Sequence, residues 1–249
     1  MMKALLPFDI APQPDETTCG PTCLQALYQY YHDPVPLKQI IGEVPMLEGG
    51  GTLAVLLASH ALQRGYRATI YTYKLQIFDP TWTDLPTAEL CDKLRTQARF
   101  KQDPKLRVAT DAYLQFLELG GKLRAKDLNG ALIRGFLNQG LPVIAGLSAT
   151  FLYRSAREFG PNCDYDDIRG EPSGHFVVLH GYDRSARTVH VADPLKSNPL
   201  TRAQKYVASI DRVINAILLG VLTYDANLLV IQPGKEMKAH APTDPDCRR

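Results

Sequence analysis

The sequence predicts an α+β fold in which N-terminal helices pack on a mostly antiparallel sheet. Helical apolar periodicity is concentrated before residue 140, and short β-rich runs are concentrated after it, two of them joined by a tight polar turn. The composition, 45% hydrophobic and 22% charged over 249 residues, is that of a chain able to bury a sizeable core.

Residues 1–18 read as an extended, Pro-rich lead-in. Leu24, Leu27, Tyr28 and Tyr31 then fall on one helical face, Pro21 suits a first turn, and Asp33-Pro34 ends the element, giving a helix over 20–31. Gly49-Gly50-Gly51 is a loop, after which Thr52 is expected to cap a second helix running to about Arg64, with Leu53, Leu56, Leu57 and His60 on its inner stripe. Tyr66 to Tyr73 alternates as a strand. Residues 84–119 read as two charged amphipathic helices, the second opened by Asp103-Pro104 and closed by Gly120-Gly121. Asp127 is expected to cap a helix to about Asn138, and Pro142 to Leu147 reads as a buried strand. A polar loop covers 149–173. Strands over 175–182 and 188–192 follow, joined at Asp183-Arg184-Ser185, then a helix over 208–219 and a last strand over 227–231. Residues 1–232 are expected to form one domain, with 74–126 a helical insertion and 233–249 a polar, mobile tail.

A net charge of +2, with Lys and Arg dispersed, gives no footprint for nucleic acid or an anionic membrane. The longest apolar run, Val213 to Leu222, is about half the ~20 residues a membrane span needs. The N-terminus lacks the apolar region of a secretory signal, and five dispersed cysteines do not form a disulfide framework, so the expected location is cytoplasmic.

Four residues carry the chemistry: Gln13, Cys19, His175 and Asp193. Cys19, in Thr18-Cys19-Gly20-Pro21, falls at a helix start, where unpaired N–H groups and the positive end of the helix dipole favour a thiolate nucleophile. The Cys19 N–H and the Gln13 side-chain amide, six positions earlier, are candidate oxyanion donors. His175 heads the buried run Phe176-Val177-Val178-Leu179, a rigid mount for a general base. Asp193-Pro194 ends the next strand, where hairpin pairing would bring the carboxylate to the imidazole to fix its tautomer. Each fragment alone is weak, and the joint pattern is what carries weight.

Gln-x5-Cys-Gly-Pro, Gly-His-Phe-Val-Val-Leu and Val-Ala-Asp-Pro together resemble the bacteriocin-processing (double-glycine-leader) cysteine peptidase family of the papain-like clan, as a stand-alone soluble member. The resemblance covers roughly 10–73 and 127–200. It implies a papain-like fold, with Cys19 as nucleophile, His175 as base and acid, Asp193 as orienting residue and Gln13 as oxyanion donor. It also implies hydrolysis of a peptide or protein substrate with neither metal nor organic cofactor. A transamidase or deamidase with the same triad, and a catalytically idle peptide-binding module, are the alternatives. Oligomeric state is left open.

The other candidates have blander readings. His180, five residues after His175, is expected on the opposite strand face, and His60 is expected to be a satisfied core histidine. Cys23 is expected to pack within its helix. Asp164, Asp166 and Asp167 lack calcium-loop spacing and read as a solvated acidic turn. Phe151, Tyr153, Phe159 and Tyr165 in the 149–173 loop form either a substrate wall or a cluster burying itself.

Overall fold

The structure, a computed structural model, describes residues 3–234. The expected tail therefore falls almost wholly outside the described residues, as does Cys247.

Five helices come early: α1 (Cys19–Tyr30), α2 (Leu37–Glu43), α3 (Ala54–Gln63), α4 (Thr87–Phe100) and α5 (Pro104–Glu118). Three follow: α6 (Gly130–Leu137), α7 (Ala149–Tyr153) and α8 (Ile210–Leu219). The strands are β1 (Lys3–Leu5), β2 (Arg67–Thr72), β3 (Lys122–Arg124), β4 (Val143–Ser148), β5 (Glu158–Phe159), β6 (Asp164–Tyr165), β7 (Gly174–Asp183), β8 (Thr188–Ala192), β9 (Lys205–Ser209) and β10 (Asn227–Gln232). One eight-stranded sheet runs β3-β2-β10-β4-β7-β8-β9, with β1 paired to the far end of β7. Every pairing in it is antiparallel except β2 with β3.

The α+β expectation holds, and the structure adds that helices cover both faces of the sheet. Alternate residues of the central strands divide between two cores. Ile144, Phe176, Val178, Leu229 and Ile231 join α1, α3, α4 and α5, while Val143, Ala145, Val177, Leu179, Leu228 and Val230 join α6, α7 and α8. A strand covered on both faces needs no polar side, which is why β4 and β7 read as continuous apolar runs. Residues 74–126 are built into the first core through Leu94, Leu106, Ala109, Tyr113 and Phe116.

The two helix starts expected at Thr52 and Asp127 move inward. The Thr52 hydroxyl donates to the Pro45 carbonyl and leaves Leu53 as the first boundary residue of α3. α6 is capped by Asn129, whose side chain accepts from the Leu132 N–H at 2.9 Å. That choice places Leu128 and Ile133 on either side of the cap in the same core, the geometry of a hydrophobic staple. Asp103 caps α5 as expected, accepting from the Leu106 N–H at 2.8 Å. The 149–173 segment is more ordered than a loop, holding α7 and the β5–β6 hairpin. The strand β9 had no counterpart in the sequence reading.

Candidate active site

The site forms at one edge of the sheet, where β4 ends, β7 begins and β8 ends. Cys19 is the first residue of α1, and no acceptor among the described residues bonds the N–H groups of Cys19 or Gly20. These free donors lie beside the sulfur because Thr18 provides no side-chain cap: its hydroxyl turns back to the Asp15 carbonyl. α1 is pressed onto β7 at Gly20. A Cβ there would come within 2.7 Å of Thr52 Cγ2, 3.2 Å of Leu57 Cδ1 and 3.3 Å of Phe176 Cδ2. Glycine at position 20 thus sets how closely the helix of Cys19 approaches the strand that carries His175. Cys23, one turn on, donates its thiol to the Phe176 carbonyl at 3.3 Å, the packing role expected of it.

His175 is buried, and its Nε2 lies 2.9 Å from Asp193 Oδ1, the contact expected of the β7–β8 hairpin. The Cys19 thiol is close enough to the ring to act on its charge. With Nε2 held by Asp193, Nδ1 is the nitrogen left to face the sulfur. The structure therefore groups Cys19, His175 and Asp193 at one place. Burial favours the neutral ring, but the Asp193 carboxylate foremost, and Cys19 with it, outweigh burial and raise the His175 pKa to about 10.

Asp193 is fully buried and surrounded by donors. Besides His175, its Oδ1 accepts the Leu195 N–H at 2.9 Å, and its Oδ2 accepts the hydroxyls of Tyr153 and Tyr206, each at 2.8 Å. Burial works against the charged carboxylate. His175 and these hydrogen bonds overcome it and hold the carboxyl below its usual range. Burial, with Asp193 adjacent, pushes both phenols upward, so they remain donors. The two tyrosines are the part of the site that the sequence reading did not assign. In the sequence Tyr153 is one aromatic of the 149–173 segment, and no local pattern joins its hydroxyl to Asp193. The alternation of Tyr206 and Ala208 inward with Lys205, Val207 and Ser209 outward was the one available signal for β9.

Gln13 is anchored near the triad by its backbone N–H, which donates to the Pro194 carbonyl at 2.9 Å. Its side-chain Nε2 donates to the Asp15 carbonyl at 2.8 Å, and its Oε1 is buried without a partner. One hydrogen of the side-chain amide is thereby already engaged.

A second buried charge lies behind the histidine. Asp225 rests against Gly174, where any Cβ would overlap its carboxylate. Burial pushes Asp225 upward and pulls Lys74 downward, each opposed by the other's charge.

The remaining histidines are engaged elsewhere. His180 bonds the Leu6 carbonyl and stacks on Phe8. Five residues of strand separate it from His175, roughly 16 Å. His60 joins the Tyr28 hydroxyl and Glu43, as a satisfied core histidine should. Asp166 accepts from the backbone of Ile168 and Arg169 in an exposed turn, as expected of the acidic loop. Among its aromatics Tyr153 turns inward, while Phe151, Phe159 and Tyr165 remain exposed.

With this geometry in view, residues 110–212 match the model of the Peptidase_C39 like family, the kind of cysteine peptidase that the motif pattern resembles. The matched stretch contains His175 and Asp193, while Cys19 and Gln13 precede it. No curated protein matches the chain by sequence. Among solved structures, the chain is similar to a double glycine motif protease from an AMS/PCAT transporter in complex with the leader peptide, at 14% identity and a TM-score of 0.46, covering 94% of this chain and 99% of that one. It is similar to a C39-like peptidase from Bacillus anthracis at 15% identity and a TM-score of 0.46, covering 93% and 98%. It is also similar to xylellain, a cysteine protease from Xylella fastidiosa, at 15% identity and a TM-score of 0.45, covering 93% and 85%. Among the described residues no helix is long and apolar enough to cross a membrane.

Proposed function

We propose that this chain is a cysteine peptidase that hydrolyses a peptide bond through Cys19, His175 and Asp193. The observation that carries the reading is the grouping of the Cys19 thiol, at the tip of α1, with a His175 ring bonded to the buried Asp193 carboxylate. The Cys19 sulfur, having given its proton to His175 Nδ1, attacks the substrate carbonyl carbon. The N–H groups of Cys19 and Gly20 and the free amide hydrogen of Gln13 are the groups available to the resulting oxyanion. As the C–N bond breaks, the His175 proton passes to the departing amine, leaving a thioester on Cys19. His175 then takes a proton from water, the hydroxide adds to the thioester, and the restored thiolate leaves with the acid product. Asp193 keeps Nε2–H engaged throughout, which fixes the ring and stabilises its charged form.

The free state of Cys19, Cys23, Cys91 and Cys163 supports a reducing compartment such as the cytoplasm. It also supplies the test. Burial raises the thiol pKa of Cys23, Cys91 and Cys163. Iodoacetamide at about pH 6 should therefore label Cys19 ahead of the other three, and His175→Ala should abolish that preference. On a peptide library, Cys19→Ala should remove all cleavage, with wild-type product masses showing the addition of water. Equal labelling of the cysteines, or turnover by Cys19→Ala, would exclude the proposed mechanism.

A further inference from the structure

The segment between Tyr153 and His175 is held to the site at both ends. The Tyr153 hydroxyl bonds Asp193, and its ring centre lies 6.0 Å from that of His175. Ser173, two residues before His175, takes the Ala149 N–H on its carbonyl at 2.9 Å and donates its hydroxyl to Glu158 Oε1 at 3.0 Å. Between these anchors lies the β5–β6 hairpin, in which Glu158 is paired with Tyr165 and Phe159 with Asp164. Directly paired residues point the same way, so Glu158 and Tyr165 share one face and Phe159 and Asp164 the other. On the second face the Arg169 guanidinium lies 4.3 Å from the centre of the Phe159 ring and bonds Asp166.

The first face has no such cover. Tyr165 is 60% exposed. Burial, then Glu158 and Glu16, raise its phenol pKa, and the same carboxylates raise that of the nearby Cys163 thiol, so Glu16 is close enough to act on both. Glu16 precedes Cys19 by three residues, and Glu158 is bonded beside His175. The two carboxylates therefore reach the Tyr165 ring from opposite sides of the site. Among the described residues neither has a cation within ion-pair distance. Arg157 of the hairpin is engaged by the Asp167 carbonyl. An exposed ring flanked by two unpaired carboxylates, in a chain of net charge +2, is a local seat for a cation.

We propose that Tyr165, Glu158 and Glu16 select a substrate carrying a Lys or Arg side chain close to the scissile bond, its aliphatic stem on the Tyr165 ring and its charge between the two carboxylates. Two residues of backbone, at most roughly 7 Å, separate Ser173 from His175, so the basic residue lies within about four positions of the cut. The inference rests on the peptidase reading and adds the class of substrate to it.

Two pools of short synthetic peptides test it. They are randomised alike, except that Lys and Arg in one are replaced in the other by norleucine and citrulline, which keep the length and lose the charge. Cleavage by the wild-type chain and retention by the immobilised Cys19→Ala chain are both read by mass spectrometry. The expected result is a preference of about fivefold or more for Lys or Arg within four positions of the cut, as two partly exposed ion pairs and a ring contact supply, with the same preference in retention. High salt should reduce it. Glu16→Gln removes no hydrogen bond among the described residues, and the amide oxygen of Glu158→Gln still accepts from Ser173, so the double variant should keep its melting temperature and lose most of the preference. Tyr165→Leu should weaken it by about two- to fivefold. Cleavage without charge preference would overturn the seat and leave the peptidase reading standing. If no peptide is cleaved, that reading fails, and retention alone decides the seat: equal retention of the two pools would overturn it. Full preference in the folded Glu16→Gln/Glu158→Gln chain would overturn the assignment to these residues.

Discussion

Replacing Asp193 by Asn tests the electrostatic core of the site while nearly keeping its shape. The Asn carbonyl can take the place of Oδ1, accepting from His175 Nε2 and the Leu195 N–H. Its amide then faces the Tyr153 and Tyr206 hydroxyls, which can rotate to accept. The charge is lost. In the wild type that charge is the main influence opposing burial and raising the His175 pKa from 6.5 to about 10. At about 1.4 kcal/mol per pKa unit, the Asp193 share corresponds to roughly 3 kcal/mol or more of stabilisation for the charged ring. A group whose pKa is raised on folding contributes stability in full below its unfolded value, and that contribution is lost as pH rises through the folded one. Asp193 itself is shifted downward, so its own contribution is present above 3.8 and is lost as pH falls through its lowered folded value. The melting temperature of Asp193→Asn should therefore lie below that of the wild type by about 6–12 °C near pH 6. The gap should narrow as pH rises from 6.5 through about 10, and narrow again in acid. Peptide turnover at neutral pH should fall about 10- to 100-fold, the equivalent of losing a hydrogen bond to a charged group. Thermal unfolding of both proteins across the pH range, monitored by circular dichroism, supplies the comparison. A gap independent of pH would show that the His175–Asp193 contact is not an ion pair and would refute this reasoning.

The other predictions concern packing and the tyrosines. Tyr206→Phe leaves Asp193 Oδ2 with one hydroxyl donor in place of two and should cost about 1.5–3 kcal/mol in chemical denaturation, with a smaller loss of turnover than Asp193→Asn. Gly20→Ala drives a methyl against Thr52 Cγ2, Leu57 and Phe176, and should destabilise by about 1–3 kcal/mol and impair alkylation of Cys19. Thr52→Ser removes the nearest of those atoms, so the double variant should recover a measurable part of the loss. Strict additivity in that cycle would show that the 2.7 Å approach is not the source of strain.

The candidate residues of the site were legible in the sequence because each is announced locally. Cys19 opens a periodic helix behind Thr18 and before Gly20-Pro21. His175 opens an apolar strand, and Asp193 closes the strand that hairpins onto it. What surrounds them was not legible, because it depends on pairings between distant segments. Tyr153 reaches Asp193 from a helix that begins directly after β4, and Tyr206 from a strand recognisable only by its pairing with β8. Lys74 just after β2 and Asp225 just before β10 meet only because those strands pair Thr72 with Asn227, and no local pattern joins them. The short helix α2 and the three-residue strands β1 and β3 are too brief for periodicity to register. The moved caps have a similar origin. Asp127 and Asn129 are equally good caps in isolation, and packing of Leu128 and Ile133 decides between them.

The order of the triad along the polypeptide has a consequence for synthesis. Cys19 leaves the ribosome more than 150 residues ahead of the hairpin that carries His175 and Asp193, and Tyr206, which bonds that hairpin's carboxylate, comes later still. Any product truncated ahead of β7 carries the Cys19 thiol without the His175–Asp193 pair that meets it in the fold.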